Sequence, residues 1–283
     1  MTVLQVLILS VIQGACELLP VSSSAHVLVA AKLMGIDPAS PQMTFLLIML
    51  HTGTMFAVIV YFWERWRNDY FSSSSAIWKT TKELIVASVA TAVVGGTLLV
   101  LIEKVFMHRQ RHAEVESLFG NFALIALALA AVGILIVISG RGRQQPNSES
   151  TLPIKEALSA WQSGWIGAVQ GLCLPFRGFS RSGATISTAL ILGVRRFAAE
   201  RFSFALAVVL TPPVIVRELL RLIRAEPSGN SLALAIVGMI CSFVAGLLAL
   251  RWLTRFLERG RWHWFGYYCL GAAVIVFAIS RRV

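Results

Sequence analysis

Apolar residues follow one another along this chain in long blocks that are separated by short polar segments. Six of the blocks approach the roughly 20 residues that an α-helix needs to cross a lipid bilayer. They lie at about 43–63, 84–102, 119–139, 202–220, 231–250 and 264–280. The pattern therefore predicts an all-α polytopic membrane protein with six transmembrane helices.

Two further apolar segments are interrupted in the middle, and they resemble one another. Gln-Gly-Ala-Cys at 13–16 recurs as Gln-Gly-Leu-Cys at 170–173, and each copy continues through a proline and several serines to a second apolar stretch ending at Gly35 or Gly193. Each half is too short to span a bilayer. A broken helix is tolerated at membrane depth only where its interrupted backbone is buried in protein or lines a wet cavity. We therefore predict two re-entrant helix-loop-helix elements.

The two copies are separated by a nearly constant interval. Gln13 and Gln170 are 157 residues apart, and Ser22 and Ser180 are 158 apart. Three predicted spans follow each copy, and because three is odd, the second copy must enter the membrane from the opposite side. The chain is therefore predicted to be a single membrane domain built as an inverted repeat, an architecture that often binds a ligand where the repeats meet. Its predicted parts are repeat 1 at 1–139, a polar linker at 140–160 and repeat 2 at 161–283.

Composition and charge agree with a membrane protein. Hydrophobic residues make up 57% of the chain and charged residues 14%, whereas soluble domains carry about 25% charged residues. The net charge is +11, with 11 Lys and Arg in the predicted loops at 64–83, 140–160 and 251–263 and 7 in the remaining loops and the tail. The positive-inside rule then places the first group in the cytoplasm and both termini outside. Arginines dispersed beside spans indicate topology and anionic lipid headgroups, not a nucleic-acid partner.

Ionisable side chains inside the broken elements are the strongest functional signal, because burying them singly in a membrane is costly. Glu17 precedes the first turn and His26 follows it, while Arg177 and Arg181 lie in the second turn. If the turns meet, an acid, an imidazole, guanidinium groups and serine hydroxyls converge. This set suits phosphate chemistry, since arginine supplies paired donors and the backbone near Gly183 supplies N–H groups at a helix start.

The individual roles stay open on the sequence alone. Ser23 and His26 are both candidate nucleophiles. Glu17 is a candidate base or metal ligand, and a divalent cation, Mg²⁺ or Ca²⁺, would offset phosphate charge. The alternative is structural: Glu17 and Arg181 form an ion pair that holds helices together, and the serines only cap the second half-helix.

The stretches QGACELLPVSSSAH and GFSRSGATIS resemble the two motifs of the bacitracin-resistance type of undecaprenyl-diphosphatase, which read roughly EGxTEFLPVSSTGH and PGxSRSGATI. The likeness includes motif order, separation and span pattern, so it covers essentially the whole chain. It implies an enzyme of the bacterial inner membrane that releases phosphate from undecaprenyl diphosphate. Such an enzyme recycles the carrier lipid for cell-wall synthesis and confers bacitracin resistance, with an active site open to the periplasmic side.

The resemblance also implies roles for single residues. Glu17 matches a catalytic glutamate of the first motif and Ser23 the nucleophilic serine. His26 matches the essential histidine, and Arg181 the phosphate-binding arginine. The predicted substrate-binding positions, from the resemblance and from the residues themselves, are Gln13, Ser22, Ser24, Arg177, Ser180, Ser182, Gly183 and Thr185. This chain departs from the pattern at Gln13, which replaces a motif glutamate and so removes a carboxylate, and at Arg177, an extra cation.

The sequence is also compatible with functions other than phosphate release. A flippase or transporter for a polyprenyl phosphate would suit the inverted repeat equally, whereas the second superfamily of membrane phosphatases fits less well because its lysine-bearing first motif is missing. The sequence leaves open whether the protein forms a homodimer. His51 either faces the central cavity or packs, and Pro212 and Pro213 are expected to kink a helix near it. The pair formed by His108 and His112 is more typical of a solvated helix face than of a metal site.

Overall fold

The computed structural model describes residues 1–37, 40–106, 121–141, 158–223 and 229–281. Within these ranges the chain forms ten α-helices and no strand. The helices are α1 (Val3–Leu18), α2 (Ser23–Leu33), α3 (Pro41–Asp69), α4 (Ser74–Phe106), α5 (Phe122–Arg141), α6 (Ala160–Cys173), α7 (Arg181–Ile191), α8 (Arg196–Ile223), α9 (Gly229–Glu258) and α10 (His263–Ser280). Residues 142–157 of the predicted linker and the pair His108 and His112 lie outside the described residues.

Each of the six predicted spans coincides with one of the long helices, and the span predicted at 119–139 corresponds to α5, which begins at Phe122. In the described part of the chain, five of these helices, α3, α4, α5, α9 and α10, are long and apolar enough to cross a membrane. The remaining predicted span, 202–220, lies in α8, a helix of 28 residues that contains Pro212 and Pro213. The chain is therefore a polytopic all-α membrane protein, as its hydrophobic pattern predicts.

The two interrupted segments form helix-loop-helix elements that turn back on themselves. In the first, Gln5 at the start of α1 donates its Nε2 hydrogen to the carbonyl of Met34, just after α2, at 3.3 Å. In the second, Gln162 at the start of α6 donates to the carbonyl of Leu192, just after α7, at 3.1 Å. Because each element begins beside its own end, it enters and leaves on one side, as a re-entrant element does.

The two elements share their capping chemistry, which supports the predicted repeat. Thr2 and Ser159 both form capping boxes with a glutamine three residues later. Gly35 and Gly193, 158 residues apart, both end a half-helix at positive φ, +70° and +79°. Glycine is favoured there because it adopts this left-handed conformation without a steric penalty. The duplication thus extends from the motifs to the ends of the elements.

Packing between helices crosses from one repeat to the other. Helix α1 packs on α9 of the second repeat, α6 packs on α4 of the first, and α3 contacts α8. The crossings are close: a Cβ atom on Gly14 would lie 2.5 Å from the carbonyl oxygen of Ser242, and one on Gly171 would lie 2.9 Å from that of Thr91. The two repeats are therefore intertwined, and their broken helices end beside each other in the interior.

Candidate active site

Glu17, in the last turn of α1, meets Arg181, the first residue of α7. The Nη2 atom of Arg181 donates to Oε1 of Glu17 at 2.6 Å, and the Glu17 side chain is 11% exposed. Each residue stands at a broken helix end, where the chain has left its regular hydrogen bonding and side chains converge. The predicted meeting of the two turns is therefore confirmed for this pair.

The second oxygen of Glu17 accepts two further hydrogen bonds from the first element. Ser23, the first residue of α2, donates its hydroxyl hydrogen to Oε2 at 2.5 Å. Gln13, one turn earlier on α1, donates an amide hydrogen to the same oxygen at 3.0 Å. A hydroxyl held by a carboxylate in this way is the arrangement of a nucleophile with its base. Gln13 also contributes a donor where a glutamate would place a second negative charge.

His51 joins the cluster from α3. Its Nε2 atom lies 3.5 Å from Oε2 of Glu17, and its Nδ1 atom lies 2.7 Å from the carbonyl oxygen of Leu47. Because a carbonyl only accepts, Nδ1 carries a hydrogen and Nε2 is the nitrogen directed at the site. Of the two expectations for His51, facing the cavity is confirmed. The signal was an ionisable residue inside a predicted span.

A narrow cleft opens beside this cluster. Its polar lining consists of Glu17, His51, Thr54, Arg181 and Thr211, and its apolar lining includes Val58, Phe204 and Val208. Thr211 of α8 accepts a hydrogen bond from Nη1 of Arg181 at 3.4 Å, and Pro212 follows it directly. The prolines therefore lie near the cavity, as predicted. Thr54 and Thr211 were missed by sequence reasoning, although each is a hydroxyl within an apolar span.

The two serine turns touch each other directly. The backbone N–H of Gly178 donates to Oγ of Ser24 at 3.4 Å, and the hydroxyl of Ser182 donates to the carbonyl oxygen of Leu19 at 3.4 Å. Gly178 has φ of +100°, and a Cβ atom there would lie 2.6 Å from the carbonyl oxygen of Ile125. A glycine is thus required where the second turn passes α5.

Three of the predicted substrate-binding residues stabilise α7 and are not among the residues that line the cleft. They are Ser180, Gly183 and Thr185. Ser180 is the N-cap and accepts a hydrogen bond from the N–H of Gly183 at 3.2 Å, so the predicted capping role is confirmed. Thr185 is fully buried and shares a 2.5 Å hydrogen bond with Ser203 of α8. Arg177 lies partly buried in the loop between α6 and α7 and is not among the cleft-lining residues named above.

The ring nitrogens of His26 contact Ser22 and Tyr268 instead of Glu17. Its Nδ1 atom lies 2.7 Å from the carbonyl oxygen of Ser22, and its Nε2 atom lies 2.7 Å from the hydroxyl of Tyr268 on α10. Ser22 itself shares a 3.3 Å contact with Ser24 through their hydroxyl groups. The structure therefore brings Glu17 together with Ser23 and Arg181, while His26 contacts the backbone of the turn at Ser22.

Comparison with known proteins gives matches over nearly the whole chain. A family model described as bacitracin resistance protein BacA matches residues 6–275. An undecaprenyl-diphosphatase 2 of Acinetobacter baylyi is 52% identical over 99% of both chains. An undecaprenyl-diphosphatase 2 of Burkholderia thailandensis is 34% identical over 92% of this chain and 91% of its own, and an undecaprenyl-diphosphatase of Korarchaeum cryptofilum is 30% identical over 99% and 100%. The chain belongs to the BacA bacitracin resistance family.

Proposed function

We propose that the protein hydrolyses undecaprenyl diphosphate to undecaprenyl phosphate and inorganic phosphate. The observation that carries the proposal is the arrangement around Glu17: one oxygen accepts the Ser23 hydroxyl at 2.5 Å, and the other binds Arg181 at 2.6 Å. The proposed nucleophile and the phosphate-binding cation thus both contact the carboxylate that acts as the base. Membership of a family whose relatives carry the name undecaprenyl-diphosphatase supports the substrate.

Ser23 is the proposed nucleophile and Glu17 its base. Glu17 takes the hydroxyl proton of Ser23 as Oγ attacks the terminal phosphorus of the diphosphate. The bond between that phosphorus and the bridging oxygen breaks, and undecaprenyl phosphate leaves with the bridging oxygen, which receives the proton from Glu17. Water then attacks the phosphoserine and gives a proton to the Glu17 carboxylate. The bond between phosphorus and Oγ of Ser23 breaks, inorganic phosphate is released, and Glu17 returns the proton to Oγ.

Charge that develops on the transferred phosphoryl group must be stabilised by fixed donors. Arg181 is placed for this because its guanidinium spans Glu17 and Thr211 at the cleft wall. His51 lines the same cleft beside Glu17. When a diphosphate enters, its oxygens replace part of the Glu17 contact with Arg181, which frees the carboxylate to receive the Ser23 proton.

A divalent cation is proposed to come with the substrate. Mg²⁺ prefers oxygen ligands and binds through one or two carboxylates together with substrate phosphates. Among the described residues, no group of three or more His, Cys, Asp or Glu could form a metal cage, so Glu17 is the proposed single carboxylate ligand. Its oxygens already accept hydrogen bonds from Ser23, Gln13 and Arg181, which fits a cation held mainly by the diphosphate. A bound cation would neutralise phosphate charge.

The proposed setting is the bacterial inner membrane, with the cleft open to the periplasmic side. The undecaprenyl chain would remain in the bilayer while its diphosphate enters the cleft between the repeats. Product undecaprenyl phosphate would serve again as the carrier lipid for peptidoglycan and other envelope polysaccharides. Rapid removal of undecaprenyl diphosphate would also account for resistance to bacitracin, the property for which the family is described.

Measurement of phosphate release in detergent distinguishes a phosphatase from a flippase. Detergent leaves no sealed compartment, so a flippase has no measurable activity there, whereas a phosphatase releases phosphate. Purified protein should release one phosphate from undecaprenyl diphosphate in the presence of Mg²⁺ or Ca²⁺. Absence of release in detergent, together with movement of a labelled polyprenyl phosphate across sealed vesicles, would overturn the phosphatase assignment.

A further inference from the structure

Ser22, the residue before the proposed nucleophile, has an unusual backbone conformation. Its φ is +67° and its ψ is +94°, and it is the one non-glycine residue with positive φ in the described part of the chain. Side chains other than glycine rarely adopt this region, and they persist there only when surrounding contacts enforce it. Some contact must therefore hold Ser22 in place.

The second repeat shows that the serine turn does not require this conformation. Ser180, which is 158 residues later, has φ of −55°, and its hydroxyl caps α7 by accepting the N–H of Gly183. Ser22 makes no corresponding side-chain cap of α2. The position equivalent to His26 is Ala184, which has no polar side chain. The strained serine and the histidine thus occur together in the first copy only.

His26 supplies the contact that holds Ser22. The backbone N–H of His26 reaches the Ser22 carbonyl oxygen only at 3.5 Å, whereas its ring Nδ1 lies 2.7 Å from the same oxygen. Since the carbonyl can only accept, Nδ1 carries the hydrogen, and in the neutral ring Nε2 is then an acceptor. The hydroxyl of Tyr268 lies 2.7 Å from Nε2 and fits that acceptor.

Tyr268 fixes the ring from another part of the chain. The two rings stack with their centroids 5.7 Å apart and their planes 14° from parallel. A hydrogen bond to Nε2 selects the tautomer that keeps the hydrogen on Nδ1, much as partners behind a catalytic or metal-bound histidine do. Helix α10 therefore sets the orientation of a side chain on α2.

We propose that His26 and Tyr268 act as a positioning pair that holds the Ser22 turn, so that Ser23 stays against Glu17. Neither residue exchanges a proton with the substrate in this role. The proposal rests on the proposed phosphatase function, and it assigns to His26 the support of the nucleophile in place of nucleophilic attack. Tyr268 becomes a further residue on which the reaction depends.

Amide substitutions at His26 separate positioning from proton transfer. In His26→Asn the amide nitrogen occupies nearly the place of Nδ1, whereas in His26→Gln it lies one atom further out, near the place of Nε2. Neither amide titrates. Phosphate release from undecaprenyl diphosphate should therefore fall about a hundredfold in kcat for His26→Ala and His26→Gln, as expected for a misplaced nucleophile. His26→Asn should recover at least about tenfold of that loss, with KM within about threefold of wild type throughout.

Tyr268→Phe supplies the second measurement, and it does not require an alanine variant to fold. This change should lower kcat about fivefold in wild type and have no effect in the His26→Asn background, because asparagine has no Nε2 for the hydroxyl to hold. His26→Asn activity as low as that of His26→Gln would overturn the proposal, and so would an equal effect of Tyr268→Phe in both backgrounds. If the wild-type protein released no phosphate, that result would instead contradict the phosphatase function itself.

Discussion

Glu17 and Arg181 are 164 residues apart in the chain, yet their side chains form a 2.6 Å hydrogen-bonded ion pair between the ends of α1 and α7. The pair closes the contact between the two repeats. Removal of one partner from an ion pair that is partly shielded from water destabilises the protein, because the other charge is left unpaired. The Arg181 side chain remains 34% exposed and lines the cleft, so it is available to an anionic ligand as well as to Glu17.

Loss of the Arg181 guanidinium should reduce catalysis strongly. Arg181→Ala removes the contact to the transferred phosphoryl group and is expected to lower kcat/KM by at least about a hundredfold, or about 3 kcal/mol. Arg181→Lys keeps the charge without the planar fork and should recover only part of the loss. Arg177→Ala in the same loop is the matched control, with an expected loss below about tenfold. Similar losses for the two alanine variants would show that general positive charge, not Arg181 itself, is required.

Gln13→Glu should make the enzyme depend more strongly on metal. The change replaces an amide that donates to Glu17 at 3.0 Å by a second carboxylate, and two close carboxylates repel unless a cation binds between them. We expect a chelator to reduce phosphate release several-fold more in this variant than in wild type, and added Mg²⁺ or Ca²⁺ to restore it.

Gln170→Glu places the same change at the equivalent position of the second repeat. Gln170 is equally buried, but in the described part of the chain Glu17 accepts an amide hydrogen bond from Gln13 and not from Gln170. The metal titration of Gln170→Glu should therefore match that of the wild-type protein. An unchanged metal titration for Gln13→Glu would indicate that the missing carboxylate has no part in cation binding.

His51→Ala should weaken substrate binding more than turnover. His51 lines the cleft and reaches Glu17 without contacting Ser23 in the described network, so its removal is expected to raise KM about fivefold and to change kcat less. Thr52→Val on the same helix is the control, because the Thr52 hydroxyl bonds the Ile48 carbonyl one turn back and no other group among the described residues. A large fall in kcat with constant KM would assign His51 to the chemical step.

The crossing of α6 and α4 can be tested by stability alone. A Cβ atom on Gly167 would lie 2.1 Å from the backbone oxygen of Ala87, which cannot move without separating the helices. Gly167→Ala should therefore destabilise the protein by about 1–3 kcal/mol. On the same helix, Gly164 has only Val86 nearby, at 3.8 Å, so Gly164→Ala should be neutral or stabilise by up to about 1 kcal/mol. Unfolding in detergent measures both, and equal stabilities would contradict the described crossing.

Much of the fold could be predicted because a bilayer restricts what a chain can do. Long apolar blocks become helices, and short apolar halves separated by proline and serine become broken ones. The meeting of Glu17 with Arg181 followed from the cost of burying each charge alone. The repeat was visible in the spacing of Gln13 and Gln170, although the capping boxes at Thr2 and Ser159 became apparent as a pair only in the structure.

The direction of side chains could not be predicted in the same way. Whether His51 faces the cleft depends on the rotation of α3, and its span is too uniformly apolar to fix that rotation. His26 was grouped with Glu17 because both are ionisable residues in the first broken element, but the half-helix α2 directs its ring toward Tyr268. Thr185 likewise lies on the face of α7 that meets Ser203. These outcomes depend on which helices pack together. A single amino-acid sequence shows no hydrophobic or polar pattern from which that packing could be predicted.

Attack on the diphosphate by Ser23, held by Glu17, is tested most sharply by a comparison of two neighbouring serines. Ser24 contacts Ser22 and Gly178 instead of Glu17, which makes it the matched control. Steady-state phosphate release from undecaprenyl diphosphate should fall by at least about a thousandfold in Ser23→Ala, as expected on removal of a nucleophile, and by no more than about tenfold in Ser24→Ala. Near wild-type turnover by Ser23→Ala, or equal losses in the two variants, would show that Ser23 is not the nucleophile.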